Sequence, residues 1–270
     1  MPNNIKNRIK VIGTKDQVKE VFKKLNTHYP EKKSKTHDGK FICKDNSGEY
    51  GWYDEKTEEF SRREKDTIIG LPIGWEYEKD EAWDRFPDFD KIIPQPEGLE
   101  ITSDGYISLL ENQFSGREPL KPNMDKIKNI VDEERKKETL ENFIQGIRNY
   151  VKHGHASWYG WNIANWGTKW NCYECEKIDD NIFTFETAWS GVFLIIEKIS
   201  KSFPDVTFNY TWSDEDTGQN CGNAIYKNGI QSKIVPKNGS KEAYDIAFDL
   251  RPEYKKDYCL EDGNYKYKDD

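Results

Sequence analysis

No apolar run in this chain approaches the roughly 20 residues that a membrane helix needs. The longest strongly apolar stretch, Val192 to Ile196, is far shorter, and 33% of the residues are charged, so no membrane partner is expected. The opening MPNNIKNRIKVIG lacks both the long apolar segment and the small-residue cleavage site of a secretory signal, and a cytoplasmic protein is the expectation. Cysteine is scarce as well. Five in 270 residues, an odd number without an export signal, do not make a disulfide framework, and free buried thiols are expected. Basic residues are too few to balance the acidic ones: a formal charge of -8 disfavours gross electrostatic binding to nucleic acid, which needs a basic footprint, and leaves only a local patch open. There is no Walker loop, dinucleotide-binding glycine pattern, HExxH or GxSxG. The balance leans away from an enzyme, no catalytic residue is identified, and no cofactor is expected.

Aromatic residues, by contrast, are dense, above all from Asn162 to Phe203. The chain around them has a readable grammar. Ile5, Ile9 and Val11 alternate with Lys6, Arg8 and Lys10, the period of a strand with one buried face. Thr14 with Gln17 makes a capping box, and Val18, Val21, Phe22 and Leu25 share a helical face that Pro30 would end. Asn171 to Lys177 and Asn181 to Thr187 predict a hairpin turning at Asp179-Asp180. A second helix follows, with Ser190 as N-cap, Val192, Ile195, Ile196, Ile199 and Phe203 on one face, and Pro204 as its stop. Val206, Phe208, Tyr210 and Trp212 then alternate with polar residues as a strand.

The fold class this order predicts is α+β: a ferredoxin-like βαββαβ sandwich with a long mixed insertion after the first helix. Residues 1–30 hold the first strand and helix, 31–155 the inserted segment with helices near its end, 156–230 the rest of the core, and 231–270 a C-terminal helix and polar tail. Inside the insertion, short strands are expected near 40–44, 49–53 and 105–110. Asn123 would cap a helix carrying Ile127, Ile130 and Val131, and a stronger helix runs through Leu140, Phe143, Ile144, Ile147 and Val151 toward Gly154. Cys221 to Tyr226 suggests a further strand, Ser240 to Leu250 a closing helix, and the chain after Pro252 a frayed tail.

FDKIIPQPEGL at Phe89 to Leu99, NWGTKW at Asn165 to Trp170, and FTFETAW at Phe183 to Trp189, followed by a helix and SFPDVTF ending at Phe208, resemble the YubB-like family. The resemblance extends from the first strand to about Tyr226 and implies a ferredoxin-like domain and a bacterial mobile-element setting. The family brings no established activity, so no catalytic residue follows from it.

Candidate binding residues gather in and beside the NWGTKW loop: Asn165, Trp166, Gly167, Thr168, Lys169 and Trp170, with Glu186 and Trp189 in the following strand. Gly167 permits a tight backbone, and Thr168 and Lys169 offer donors between two indoles. Core packing is the competing reading for the tryptophans. Replacing Trp166 and Lys169 is expected to impair partner capture without disturbing the fold.

Cys172 and Cys175 have the spacing of half a zinc knuckle, but residues three apart on a strand point to opposite faces, and no metal is assigned. His153 and His155 read as helix-end residues, and Asp84, Asp88 and Asp90 as a solvated turn. On the polar sheet face, Arg8 is expected to pair with Glu186 across neighbouring strands. The leading expectation is a non-catalytic module that binds a protein partner. The alternatives are an enzyme with a cleft between insertion and core, drawing on Glu186, His153 or His155, and nucleic-acid binding through Lys6, Arg8 and Lys10.

Overall fold

A computed structural model of the chain describes all residues except 1–2, 37–38, 48, 63–65, 70, 72–74, 102–106, 108–109, 111–113, 115–126, 128 and 269–270. It forms two compact units, residues 1–26 with 86–270, and residues 27–85.

In the larger unit, β1 (Asn4–Ile12) buries Ile5, Ile9 and Val11 and turns Lys6, Arg8 and Lys10 to the opposite face, as the alternation predicts. The capping box of α1 (Lys15–Leu25) is present: Thr14 Oγ1 accepts from Gln17 N at 3.3 Å and Gln17 Oε1 from Thr14 N at 2.8 Å. The helix ends at Leu25, well before Pro30, because Asn26 turns extended and Thr27–Tyr29 pair as a strand. The short α2 (Phe89–Ile92) is followed by α3 (Glu133–His153), closed as expected by Gly154 in the left-handed conformation (φ 75°). Leu140, Phe143 and Ile147 of α3 pack with Ile107, Leu110 and Ile127, whereas Ile144 and Val151 face solvent.

The strand expected over 105–110 and the cap expected at Asn123 fall largely outside the described residues. Ile107, Leu110 and Ile127 are described and helical, and Ile130 and Val131 lie outside any helix.

Next come α4 (Trp158–Trp166), β2 (Tyr173–Asp179), β3 (Ile182–Ala188), α5 (Phe193–Ser202), β4 (Thr207–Asp214), β5 (Gly222–Lys227), β6 (Ile230–Ile234) and α6 (Lys241–Leu250). The sheet order is β2-β3-β1-β4-β5-β6, with every neighbouring pair antiparallel. Its first four strands, with α1 and α5 as crossovers, have ferredoxin-like order, and β5 and β6 extend one edge. The fold class is α+β.

Phe183, Phe185, Phe208, Tyr210 and Trp212 join Ile5, Ile9 and Val11 in one core with Val21 and Leu25 of α1 and Ile195, Ile196 and Ile199 of α5. Burying each of these larger apolar side chains contributes about 1.5–3 kcal/mol. The N-terminus of α5 differs from expectation. The helix starts at Phe193 without a side-chain cap, and Ser190 lies in the turn before it, its carbonyl accepting from Thr187 Oγ1 at 2.8 Å.

Pro252 to Tyr267 form regular structure, contrary to the frayed tail expected. A 3-10 turn (Pro252–Asp257) leads into the hairpin β7 (Tyr258–Glu261) and β8 (Asn264–Tyr267). Tyr258 and Tyr265 pack on Tyr244 and Phe248 of α6 with ring centroids 4.9–5.7 Å apart, which supplies the apolar anchor.

The smaller unit holds a five-stranded antiparallel sheet in the order Asp66–Ile69, Glu59–Arg62, Tyr50–Asp54, Phe41–Asp45, Trp75–Tyr77, with two short strand pairs, Thr27–Tyr29 with Trp83–Arg85 and Lys32–Lys33 with Lys79–Asp80. Phe41, Cys43 and Phe60 form its core. The strands expected near 40–44 and 49–53 are the fourth and the central one of this sheet.

Candidate functional site

The NWGTKW loop is fixed from within. Trp166 is 4% exposed, lies edge-on to Trp161 and Phe89 at 5.7 and 5.9 Å, and donates its indole N–H to Ile93 O at 2.9 Å. Asn165 Nδ2 donates to Trp161 O at 2.9 Å. Gly167 ends α4 in the left-handed region (φ 81°), its N–H shared between Asn162 O and Ile163 O at 3.2 Å. Thr168 is buried, its hydroxyl donating to Ala188 O at 2.9 Å and accepting from Ala188 N at 3.2 Å, and Asn162 Nδ2 holds Lys169 O at 2.9 Å. Asn165, Trp166, Gly167 and Thr168 thus build the loop rather than its surface.

The surface belongs to Lys169, Trp170, Trp189 and a residue that sequence reasoning missed, Tyr159. Lys169 Nζ lies over the Trp170, Trp189 and Tyr159 rings, 4.5, 5.5 and 5.9 Å from their centroids. These are cation–π distances, each attraction contributing about 0.5–1 kcal/mol at an exposed site. Tyr159 lies on the preceding helix, where no spacing in the sequence marks it.

Trp189 has φ 65°, a backbone conformation that bulky residues avoid at a cost of roughly 1–3 kcal/mol. Its N–H donates to Asn3 O at 2.9 Å and its carbonyl accepts from Asn220 Nδ2 at 3.4 Å, yet the residue is 44% exposed. A strained backbone therefore presents a large aromatic ring to solvent beside a cation.

Glu186 is not brought to this surface. It pairs with Arg251 at 3.4 Å, and Arg251 also donates to Ser213 O at 3.1 Å and Asn4 O at 3.3 Å. The expected Arg8–Glu186 pair is absent: β1 and β3 set Arg8 opposite Thr184 and Lys6 opposite Glu186, and Arg8 pairs with Asp249 of α6.

Tyr173, opposite Glu186, donates to Asn4 Oδ1 at 2.7 Å, and burial with the nearby Glu186 and Glu215 charges pushes its phenol up to about 12. Burial likewise raises Tyr210 and Tyr226. Folded, these phenols keep their protons above pH 10, the ordinary tyrosine value, where the unfolded chain loses them. Stability is expected to be full below about pH 10 and to fall as pH rises through about 12, read as a denaturant midpoint that drops over that window. A flat midpoint there contradicts these shifts.

Cys172 and Cys175 do not diverge: their sulfurs are 3.4 Å apart, because Glu174 at φ 47° and a register shift against β3 turn Cys175 back. Cys221 is remote from them in role, its thiol pushed up to about 11 by burial and donating to Ala243 O at 3.4 Å. Among the described residues no three His, Cys, Asp or Glu side chains gather as a metal would require. His153 is the last residue of α3. Asp88 caps α2 and accepts from Asn171 Nδ2 at 2.7 Å, Asp90 accepts from Gln95 N at 2.7 Å, and Asp84 meets His28 at 3.0 Å.

Residues 166–255, one third of the chain, match the family model described as a ferredoxin-like domain in Api92-like protein. No curated protein and no solved structure gives a significant match. No described helix is long and apolar enough to cross a membrane.

Proposed function

We propose that the chain is a binding module for a protein partner, docking through the surface formed by Lys169, Trp170, Trp189 and Tyr159. The observation that carries this reading is Trp189, whose strained backbone holds a half-exposed indole against the Lys169 ammonium. Strain of this kind persists where the surroundings over-determine it, and it concentrates at ligand contacts. Tryptophan and tyrosine also dominate the energetics of protein interfaces, since they offer large rigid area at low entropy cost. The packed loop beneath holds both rings and cation before any partner arrives, so little ordering remains for binding to offset. Within this reading the module is a cytoplasmic, bacterial mobile-element accessory protein of the YubB-like family, supported by the motifs at 89–99, 165–170 and 183–208.

The test is affinity capture from a bacterial lysate with the unaltered chain, Lys169→Ala and Trp189→Gly side by side. Glycine accepts the backbone at 189 and relieves its strain, which offsets the lost burial and the lost cation–π contact, so Trp189→Gly is expected to shift stability by no more than about 1 kcal/mol in either direction while abolishing capture. Trp166→Ala does not serve here, since deleting a buried indole costs about 3–5 kcal/mol and reports on folding. A protein recovered equally by all three chains would sink the reading.

A further inference from the structure

On the sheet face opposite α1 and α5, a groove of about 680 Å³ crosses the strands beside α6. That volume falls within the range of small-molecule sites, about 300–1,000 Å³. It runs from Ile178 on β2 to Ile225 on β5, four strand spacings or about 19 Å. Cross-strand register sets out its floor. Ile182, Lys10, Asn209 and Ile225 form one row, and Thr184, Arg8, Thr211 and Asn223 the next. Leu250 and Pro252 add apolar lining from the end of α6.

Two polar groups in this floor are left over. Thr184 is 6% exposed, and its hydroxyl has no hydrogen-bond partner among the described residues, a condition that buried polar groups rarely tolerate without cost. Lys10 has no ion-pair partner among the described residues, whereas Arg8 and Asp249 neutralise each other and Thr211 donates to Asn223 Oδ1 at 2.8 Å. The site therefore carries one net positive charge and one orphan hydroxyl between apolar ends formed by Ile178 with Ile182 and by Ile225. Tyr210 lies on the strand floor with its ring in the core, so no aromatic face is offered for base stacking.

We infer that this groove binds a carboxylate carried on an aliphatic body, with Lys10 and the Thr184 hydroxyl holding the carboxylate and the isoleucines covering the aliphatic part. Two sources share that chemistry, a free aliphatic acid and an acidic residue flanked by aliphatic ones in an extended peptide. The site is separate from the Lys169 surface and stands whether or not that surface binds a protein.

The experiment is amide NMR shift mapping on the full chain with octanoate and with acetyl-Leu-Glu-Leu-amide. Octylammonium and acetyl-Leu-Gln-Leu-amide are the charge controls. Shifts are expected at residues 8–10, 182–184, 209–211 and 223–225. Lys10→Gln should weaken binding about tenfold, the size of one charge-assisted contact. Thr184→Val should weaken it several-fold while keeping or raising the melting temperature, because it removes the orphan hydroxyl without changing shape, so its effect is not unfolding. A response to octanoate alone assigns a free acid, one to the peptide alone assigns a peptide, and either supports the site. No shift in the groove with either carboxylate, equal binding of octylammonium, or an unaltered affinity in Lys10→Gln would overturn it.

Discussion

A chain that starts at Lys15, and so lacks β1, is expected to show no cooperative unfolding transition in its larger unit. β1 is not an edge element: it lies between β3 and β4, paired to both along nearly its whole length. Without it, two strands that flank the core lose their backbone partners at once. Ile5, Ile9 and Val11 go with it, and each buried side chain of that size contributes about 1.5–3 kcal/mol. Their sum with the lost ladder is comparable to the whole stability of a domain, about 5–15 kcal/mol. Thermal melting followed by near-ultraviolet circular dichroism checks this, since Tyr210 and Trp212 pack beside β1 and lose their asymmetric environment with it. Adding a synthetic peptide of residues 1–14 should restore the signal. A truncated chain that melts cooperatively at the original temperature refutes the central role of β1.

Asn7→Leu should cost about 3–4 kcal/mol despite placing an apolar residue in an apolar core, because it leaves more than one buried polar group unpaired. Asn7 is fully buried and donates to Ile5 O and to Thr187 Oγ1, both at 2.8 Å, while its Oδ1 accepts from Tyr210 Oη at 2.6 Å. Tyr210 Oη in turn accepts from Val192 N at 2.8 Å, the residue just before α5. One amide thus joins β1, β3, β4 and the start of α5. Leucine strands the Tyr210 hydroxyl proton and a Thr187 lone pair where water does not reach. In a double-mutant cycle with Tyr210→Phe, the two losses should fall short of adding by about 1 kcal/mol or more, since both act on the same bond. Additive losses, or a cost below about 1 kcal/mol for Asn7→Leu alone, contradict the network.

The elements read well from the sequence were those whose local signals agree with their tertiary fate. The alternation of β1, the Thr14 and Gln17 box and the Gly154 stop are each decided within a few residues. Several departures arise from contacts made far along the chain. Asn7 interrupts an apolar row, and only Tyr210 and Thr187 explain it. Arg8 is claimed by Asp249 because α6 covers that part of the face, and Glu186 by Arg251 for the same reason. The left-handed backbone at Trp189 and Glu174 is invisible to periodicity; the first lies in the turn that precedes α5, and the second helps bring Cys172 and Cys175 together. Aromatic density marked the stretch in which Lys169, Trp170 and Trp189 come together. Which rings face solvent depended on how Trp166 and Thr168 docked onto Ile93 and Ala188.

The placement of β1 also bears on how the chain is made. Asn7 meets Thr187 and Tyr210, which lie 180 and 203 positions further along. At a synthesis rate of about 5–20 residues per second, β1 waits roughly 10–40 s for these neighbours. Through that interval Ile5, Ile9 and Val11 are an unpaired apolar row, the kind of segment that seeks strands of other chains. Lys6, Arg8 and Lys10 alternate with them, and charges so placed keep a nascent strand from such pairing. The basic residues of β1 thus have a task before the sheet exists, holding its oldest strand apart until the last of its partners has been translated.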